Sequence, residues 1–524
     1  MGQTSHFDTV IVGAGFSGIY QLHKLHSQGL SVKMIDAAGD VGGTWYWNRY
    51  PGAMSDTESY LYRYSWDKDD LLKYHWKEHY VKQPEVLAYL KNVVDRYDLR
   101  KHMQFHTELQ HARYNEQKNH WVVECSTGQT FTARYLITAL GLLSKTNFPN
   151  IKGIETFQGE MYHTGKWPQS HDFTDRRVGI IGNGSTGVQV ITAIAKEVKS
   201  LTCFQRTPQY SVPSGDGPVT TQYRDSINSR WDEIWEQVRN SMVAFGFEES
   251  ATPTMSVSAD ERERIFEEAW RRGNGFRFMF WTFSDLTTDE AANEEACKFI
   301  RKKIGETVRD PEKARKLQPD DLYARRPLCD AGYYEQFNRD NIDVVSLKET
   351  PIQEITATGI TLVDGTTFDL DVLIFATGFD AVDGNYTRLA IHGRDGVSLR
   401  DHWAANGGPT TYLGSFVPGF PNFFMLTGPN SPFTNLPPTI ETQVEFITDL
   451  IASAETLAES EQEWTQLCKD LCENSLFKRS ASWIFGANIP GKTQTVMFYF
   501  GGLANYRKVL SNVAGSGYSG FQPF

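Results

Sequence analysis

Two glycine clusters in this 524-residue chain have the spacing that lets a backbone cradle a pyrophosphate. Gly13, Gly15 and Gly18 follow one apolar run, open a helical pattern, and lead to a second apolar run that ends at Asp36. In such a motif the first glycine permits a tight turn and the second lets backbone approach phosphate. The third lets helix and strand pack closely, and the helix N-terminus presents its positive end to the anion. Asp36 is then placed to accept hydrogen bonds from ribose hydroxyls. Gly182, Gly184 and Gly187 repeat the design, but the strand after them ends in Gln205-Arg206-Thr207. A carboxylate there would repel a 2′-phosphate, whereas a guanidinium holds one with paired hydrogen bonds. The alternative is an arginine at an exposed strand end, with NAD bound. The acid-terminated fold suits FAD and the arginine-terminated fold suits NADPH, so hydride is expected to pass from nicotinamide to flavin.

These motifs require two α/β units of the Rossmann kind. YLITALG (135–141) and DVLIFATGFD (371–380) read as apolar strands ending in glycine turns, and both are expected to return the chain to the first nucleotide fold. A β-rich stretch precedes each, the second with an Asp-Gly hairpin turn. The expected layout is a discontinuous FAD-binding domain, residues 1–144 and 376–524, into which an NADPH-binding domain, residues 145–220 and 321–375, is inserted. Residues 221–320 carry acidic, basic and aromatic side chains at helical spacing and are expected to form a helical subdomain. The tail SNVAGSGYSGFQPF is expected to be irregular.

Composition reads as a soluble, slightly acidic globular protein. A formal charge of −12, with 22% charged and 13% aromatic residues, excludes collagen-like, disordered and disulfide-scaffold chains. The acidic balance argues against non-specific binding to nucleic acid or an anionic membrane and leaves room for a local basic pocket that binds phosphate. Six cysteines without a C-x-x-C pair offer neither a redox dithiol nor a metal site. The longest apolar stretch, 135–143, is too short to span a bilayer, and no signal peptide precedes the first strand, so a cytoplasmic location is expected.

A reduced flavin needs an acceptor. With no cysteine pair and no ligand run for iron–sulfur or haem, O₂ remains. FQGEMYHTGKWP (157–168) fits F-x-G-x-x-x-H-x-x-x-W-P, with Phe157, Gly159, His163, Trp167 and Pro168 in place. This segment resembles the fingerprint of Baeyer–Villiger monooxygenases, flavoproteins that insert oxygen beside a ketone. GGTWYWNRYPGAMSDTES (42–59), DVLIFATGFD, ARRPLCDAGYYEQFN (324–338), GPNSPFTNLPP (428–438) and SWIFGANIPGK (482–492) are similar to that family too. The resemblance runs from about residue 7 to 521 and is closest to the cyclohexanone-oxidising members.

The resemblance implies that NADPH and O₂ convert a cyclic ketone to a lactone through a C4a-peroxyflavin. Arg326 matches the family's active-site arginine, a group suited to negative charge because it hardly ever deprotonates. Asp56 matches the carboxylate that pairs with it. Implied flavin contacts are Phe16, Gly43, Thr44, Trp45, Trp47, Asp56 and Tyr62. Implied NADP contacts are Ser185, Thr186, Gln189, Arg206, Thr207, Arg325, which stands where relatives carry lysine, and Trp483 on a candidate lid. His163 and Trp167 are implied to support linkers between domains. The substrate pocket is implied at Leu142, Leu143, Phe245, Phe276, Phe278, Phe433, Thr434 and Leu436. A flavin-containing N- or S-monooxygenase is the nearest alternative, and a non-catalytic sensor of NADPH redox state a more distant one. The expected partners are a small ketone and O₂, with no nucleic acid, no membrane, no metal and no obligatory protein partner.

Overall fold

A computed structural model describes residues 4–451 and 455–522. The strand Thr4–Val12 lies parallel between Thr130–Thr138 and Val32–Ile35, inside an eight-stranded sheet. Val10 and Ile11 are fully buried, as a parallel strand covered on both faces requires. The helix Phe16–Ser27 follows this strand directly and packs against the helix Leu436–Leu450. A second, all-parallel sheet orders Ile342–Ser346, Ser200–Gln205, Arg177–Ile181, Val372–Phe375 and Glu160–His163. The architecture is α/β with two Rossmann-like sheets.

One strand assignment is corrected. Thr130–Thr138, which contains the start of YLITALG, does join the first sheet. Val372–Phe375, from DVLIFATGFD, instead lies in the second sheet between Arg177–Ile181 and Glu160–His163. The strands that return to the first sheet are Ala390–His392, at its edge beside Leu109–Asn115, and Phe423–Met425, beside Thr130–Thr138. A short, wholly apolar run suits a buried parallel strand in either sheet, so its composition does not say which. Ahead of Val372–Phe375, the strands Ile352–Thr356, Gly359–Leu362 and Thr367–Asp369 form a meander. Asp364-Gly365 turns it, with Gly365 at φ +86°.

Residues 221–317 hold six α-helices, several begun by a side-chain cap from Thr220, Ser258, Asp289 or Asp310. They do not share one core. Trp231 and Trp235 pack with Tyr60, Leu61, Trp76 and Leu503, whereas Phe266, Phe278 and Phe299 join the core of the second sheet. The tail is also corrected, since it is ordered: the helix Gly502–Gly515 runs into it, and Phe521–Gln522 pairs with Glu455–Thr456. Phe521 packs its ring on Tyr412 and Phe416, apolar contacts that outweigh the local Gly/Ser bias. The last two residues of that segment, 523–524, lie outside the described residues. Among the described residues no helix is long and apolar enough to cross a membrane.

Candidate active site

Each glycine motif builds an anion-ready helix start. The helices Phe16–Ser27 and Ser185–Ile194 begin at Gly15 and Gly184, and neither has a side-chain cap. Their first N–H groups are therefore open to a phosphate. The third glycines are sterically required: a Cβ on Gly18 would stand 1.9 Å from the Gly13 carbonyl oxygen, and one on Gly187 2.4 Å from that of Gly182. Asp36 accepts hydrogen bonds from the Ala14 and Ala38 N–H groups at 2.6 and 2.7 Å, tying the first glycine turn to its own strand end. At the matching place in the second fold, buried Gln205 bonds Asn183 and the Lys316 carbonyl. Arg206, the next residue, is exposed and has no partner among the described residues. Arg325 is already engaged, with Nη2 at 2.6 Å from Asp321 Oδ2. These two uncapped helix starts, one closed by an acid and one by a free guanidinium, fit FAD and NADPH respectively.

Both folds open on one cleft of about 1010 Å³. Its flavin-side wall includes Thr44, Trp45, Asp56 and Tyr62, and its other wall Ser185, Thr186, Gln189, Arg206, Thr207 and Arg325. Trp45 Nε1 donates to the Tyr62 hydroxyl at 3.2 Å, and burial pushes that hydroxyl up to about 12. Between the walls lies Arg326. Its Nη2 donates to Asp56 Oδ2 at 2.5 Å and its Nη1 to Ser185 Oγ at 3.0 Å, and its guanidinium lies 5.3 Å over the Phe276 ring. Burial opposes the arginine's charge, but the adjacent Asp56 carboxylate more than offsets it, so the pKa stands above its ordinary value. Asp56 is 9% exposed, and its Oδ1 has no partner.

The apolar end of the cleft is formed by Leu142, Leu143, Phe245, Phe276, Phe433, Thr434 and Leu436. Phe278 is the correction: it is fully buried, away from the cleft, against Phe266, Phe299 and Tyr323. Phe280 lines the cleft instead. In the helix Gly275–Phe280, positions 276 and 280 share a face and 278 points off it. That i,i+4 spacing was a usable signal. Three other expected contacts sit behind the cleft wall. Phe16 backs the Tyr62 ring at 5.2 Å, the Trp47 carbonyl accepts the Trp167 N–H, and Gly43 faces Gly15.

Two of the expected NADP contacts, Gln189 and Trp483, gain partners in the fold that the sequence did not show. Gln189 accepts from the Tyr50 hydroxyl at 2.8 Å and donates to the Met54 carbonyl, joining the second fold to the flavin-side loop. Trp483 lines the cleft and packs edge-on to Phe498. Its loop is held at the far end by Lys492, whose Nζ lies 2.6 Å from Asp380 and 2.5 Å from Asp383.

His163 closes the edge strand of the second sheet, 2% exposed, with Nδ1 accepting the Gly165 N–H at 3.0 Å. Burial lowers its pKa from 6.5 to about 4. Between those values the unfolded chain binds a proton that the folded chain does not, so stability falls as pH drops through that window. From pH 7 to pH 5 the wild-type protein is expected to lose about 2 kcal/mol through this group. Chemical denaturation of wild type and His163→Gln at both pH values checks it: the variant's dependence should be shallower by that amount.

Two dinucleotide folds that share one cleft, with a charged arginine held between them, define a two-nucleotide flavoprotein oxidoreductase. Residues 10–261 match a family described as pyridine nucleotide-disulphide oxidoreductase, although all six cysteines here are buried and unpaired. The chain is 53% identical to a Baeyer–Villiger monooxygenase of Pseudooceanicola batsensis, over 98% of this chain and 95% of that protein. It is 52% identical to a cyclohexanone 1,2-monooxygenase of an Acinetobacter species, over 99% and 97%. It is 50% identical to a phenazine N-monooxygenase of Lysobacter antibioticus, again over 99% and 97%. A closed crystal structure of cyclohexanone monooxygenase matches the fold with a TM-score of 0.98 at 55% identity, covering all of both chains. The chain belongs to the Baeyer–Villiger monooxygenase family, the FAD- and NADPH-dependent enzymes that insert one atom of O₂ beside a ketone carbonyl.

Proposed function

We propose that the protein converts cyclic ketones of about cyclohexanone size to lactones, cyclohexanone to ε-caprolactone, at the expense of NADPH and O₂. The observation that carries this reading is Arg326: a half-buried, permanently charged group at the junction of both nucleotide walls and the apolar end of the cleft. Bound FAD, once reduced by NADPH, supplies the oxygen-activating chemistry. The residues supply the surroundings. Arg326 holds negative charge where the ketone oxygen becomes an alkoxide, and cannot itself give up a proton at working pH. Asp56 and Ser185 fix the two arms of the guanidinium, so no reorganisation is needed when that charge develops. Trp45, Tyr62 and the phenylalanine wall exclude water, and the Tyr62 hydroxyl, pushed up to about 12 by burial, adds no charge to it. A cyclic ketone offers one polar atom and an apolar ring, which matches one guanidinium beside Phe276 and Leu436.

In this reading residues 1–144 and 376–524 hold FAD, residues 145–220 and 321–375 hold NADPH, and Trp483 lies on the loop that closes over the nicotinamide. Buried, unpaired cysteines favour a reducing, cytosolic location. Oxidation at nitrogen or sulfur is the second reading, favoured by the likeness to the phenazine N-monooxygenase.

Purified enzyme with NADPH, O₂ and cyclohexanone tests the proposal, with product identified by mass. Caprolactone formed in step with NADPH loss is expected. Peroxide without lactone, together with N- or S-oxide from phenazine or a thioether, would establish the second reading instead.

A further inference from the structure

We propose that Asn274 is a positioning residue for the Asp56–Arg326 pair, because its buried side-chain amide joins the backbone of Asp56 to the helix that carries Phe276. The proposal rests on the reading of Arg326 and Asp56 above. Asn274 Nδ2 donates to the Asp56 carbonyl at 2.9 Å and to the Tyr80 hydroxyl at 3.1 Å. Its Oδ1 accepts from the backbone N–H groups of Phe276 at 2.9 Å and Arg277 at 3.3 Å. Two donors and two lone pairs are thus all used, which is the full capacity of an amide. The residue is 3% exposed, and its φ of +77° is a left-handed value that non-glycine residues adopt only where their surroundings demand it.

The consequence is geometric. Besides the carbonyl of its own neighbour Pro327, Arg326 is set by three groups: the Asp56 carboxylate, Ser185, and the Phe276 ring beneath it. Asn274 touches none of the reacting positions, yet it fixes two of those three to each other. A second tie runs alongside. Arg277 Nη2 lies 3.1 Å from Glu58 Oε1, joining the residue after Phe276 to the residue two beyond Asp56. Both side chains are mostly buried, and Tyr223 donates to the other Glu58 oxygen at 2.6 Å. Asn274 and the Glu58–Arg277 pair therefore hold the flavin-side loop and the ketone wall as one body.

Asn274→Asp separates positioning from simple support. A carboxylate still caps the helix and can still meet Tyr80, whose hydroxyl turns to donate. The bond to the Asp56 carbonyl is lost, since a carboxylate has no donor, and a negative charge is added beside that carbonyl, so the Asp56 backbone is released from the helix. In flavin-loaded Asn274→Asp, kcat is expected to fall about tenfold, a loss in keeping with slight misplacement of a catalytic group. Lactone per NADPH should fall below about half. The KM for ketone and the calorimetric Kd for NADP⁺ should stay within about threefold of wild type, the mark of lost positioning rather than lost binding. A crystal structure of the variant should show the 2.5 Å Arg326–Asp56 contact lengthened or re-aimed. Tyr80→Phe, which keeps the Asp56 tie, should leave coupling unchanged. A folded Asn274→Asp protein with wild-type kcat and coupling overturns the proposal. If that variant does not fold, Glu58→Gln is read in its place with the same expected direction and the same overturning result. If wild type itself makes no lactone, the ketone reading fails. The tie is then read in the anaerobic rate of flavin reduction by NADPH, where an unchanged rate in the variant overturns it.

Discussion

Replacing Arg326 with alanine is expected to lower lactone formation about 10³-fold while NADPH oxidation continues as hydrogen peroxide production. A preorganised cation aimed at developing negative charge in a water-poor site is the largest single contribution a side chain makes to such a reaction. Nothing else lining the cleft replaces it. Arg206 and Arg325 are the other arginines there, and they stand at the far wall of the second fold. Lysine is a poor substitute. A point ammonium cannot reach Asp56 and Ser185 with a planar fork, so Arg326→Lys should recover only a small part of the loss. Alanine also leaves the Asp56 carboxylate buried without its partner, which costs about 3–5 kcal/mol and lowers the melting temperature. That side effect has a control. In Arg326→Ala combined with Asp56→Asn the buried charge is gone, so the melting temperature should return most of the way while lactone formation stays lost. Recovery of activity with stability would mean that Arg326 acts only by holding the fold, and the mechanism above would be wrong.

That control depends on a contact between residues 270 positions apart, which no local pattern contains. The glycine motifs were readable because their chemistry is local: a turn, a phosphate approach and a helix start all fall within six residues. Asp36 and Arg206 were readable for the same reason, each being the first residue after its strand. Arg326 and Asp56 were singled out by family resemblance, and the bond between them is a product of the fold. Phe278 shows the limit of carrying positions over singly, since a residue inside a helix turns away from its neighbours by about 100° per position. Anchoring on Phe276 and stepping four residues would have selected Phe280. Asn274, between Gly273 and Gly275, reads in sequence as a turn residue. Its role depends on Asp56 and Tyr80, brought in from segments about 200 residues away. The sheet chosen by Val372–Phe375 was hidden for a different reason. Its apolar run satisfies both sheets, and only pairing with Arg177–Ile181 and Glu160–His163 decides.

The unpaired guanidinium of Arg206 carries the second large prediction. Removing it as Arg206→Ala should raise the KM for NADPH about 10²-fold and leave that for NADH within about threefold. Charge-assisted hydrogen bonds to a phosphate are worth about 1.5–3 kcal/mol each, and NADH has no 2′-phosphate to lose them from. Arg206 is expected to contribute more than Arg325. Arg206 is exposed on the cleft wall with no protein partner among the described residues, whereas Arg325 must share its charge with Asp321 at 2.6 Å. Arg325→Ala should accordingly cost several-fold less than Arg206→Ala, and Asp321→Asn, by releasing Arg325, should tighten NADPH slightly. Arg206→Asp goes further, because it recreates at the second strand end the acid that Asp36 provides at the first, and it should move the preference toward NADH. Steady-state KM values for both nucleotides across these four variants test the ordering. Equal losses at 206 and 325 would mean that Asp321 swings away when the phosphate arrives, and that the contact seen here is a resting arrangement of the second fold.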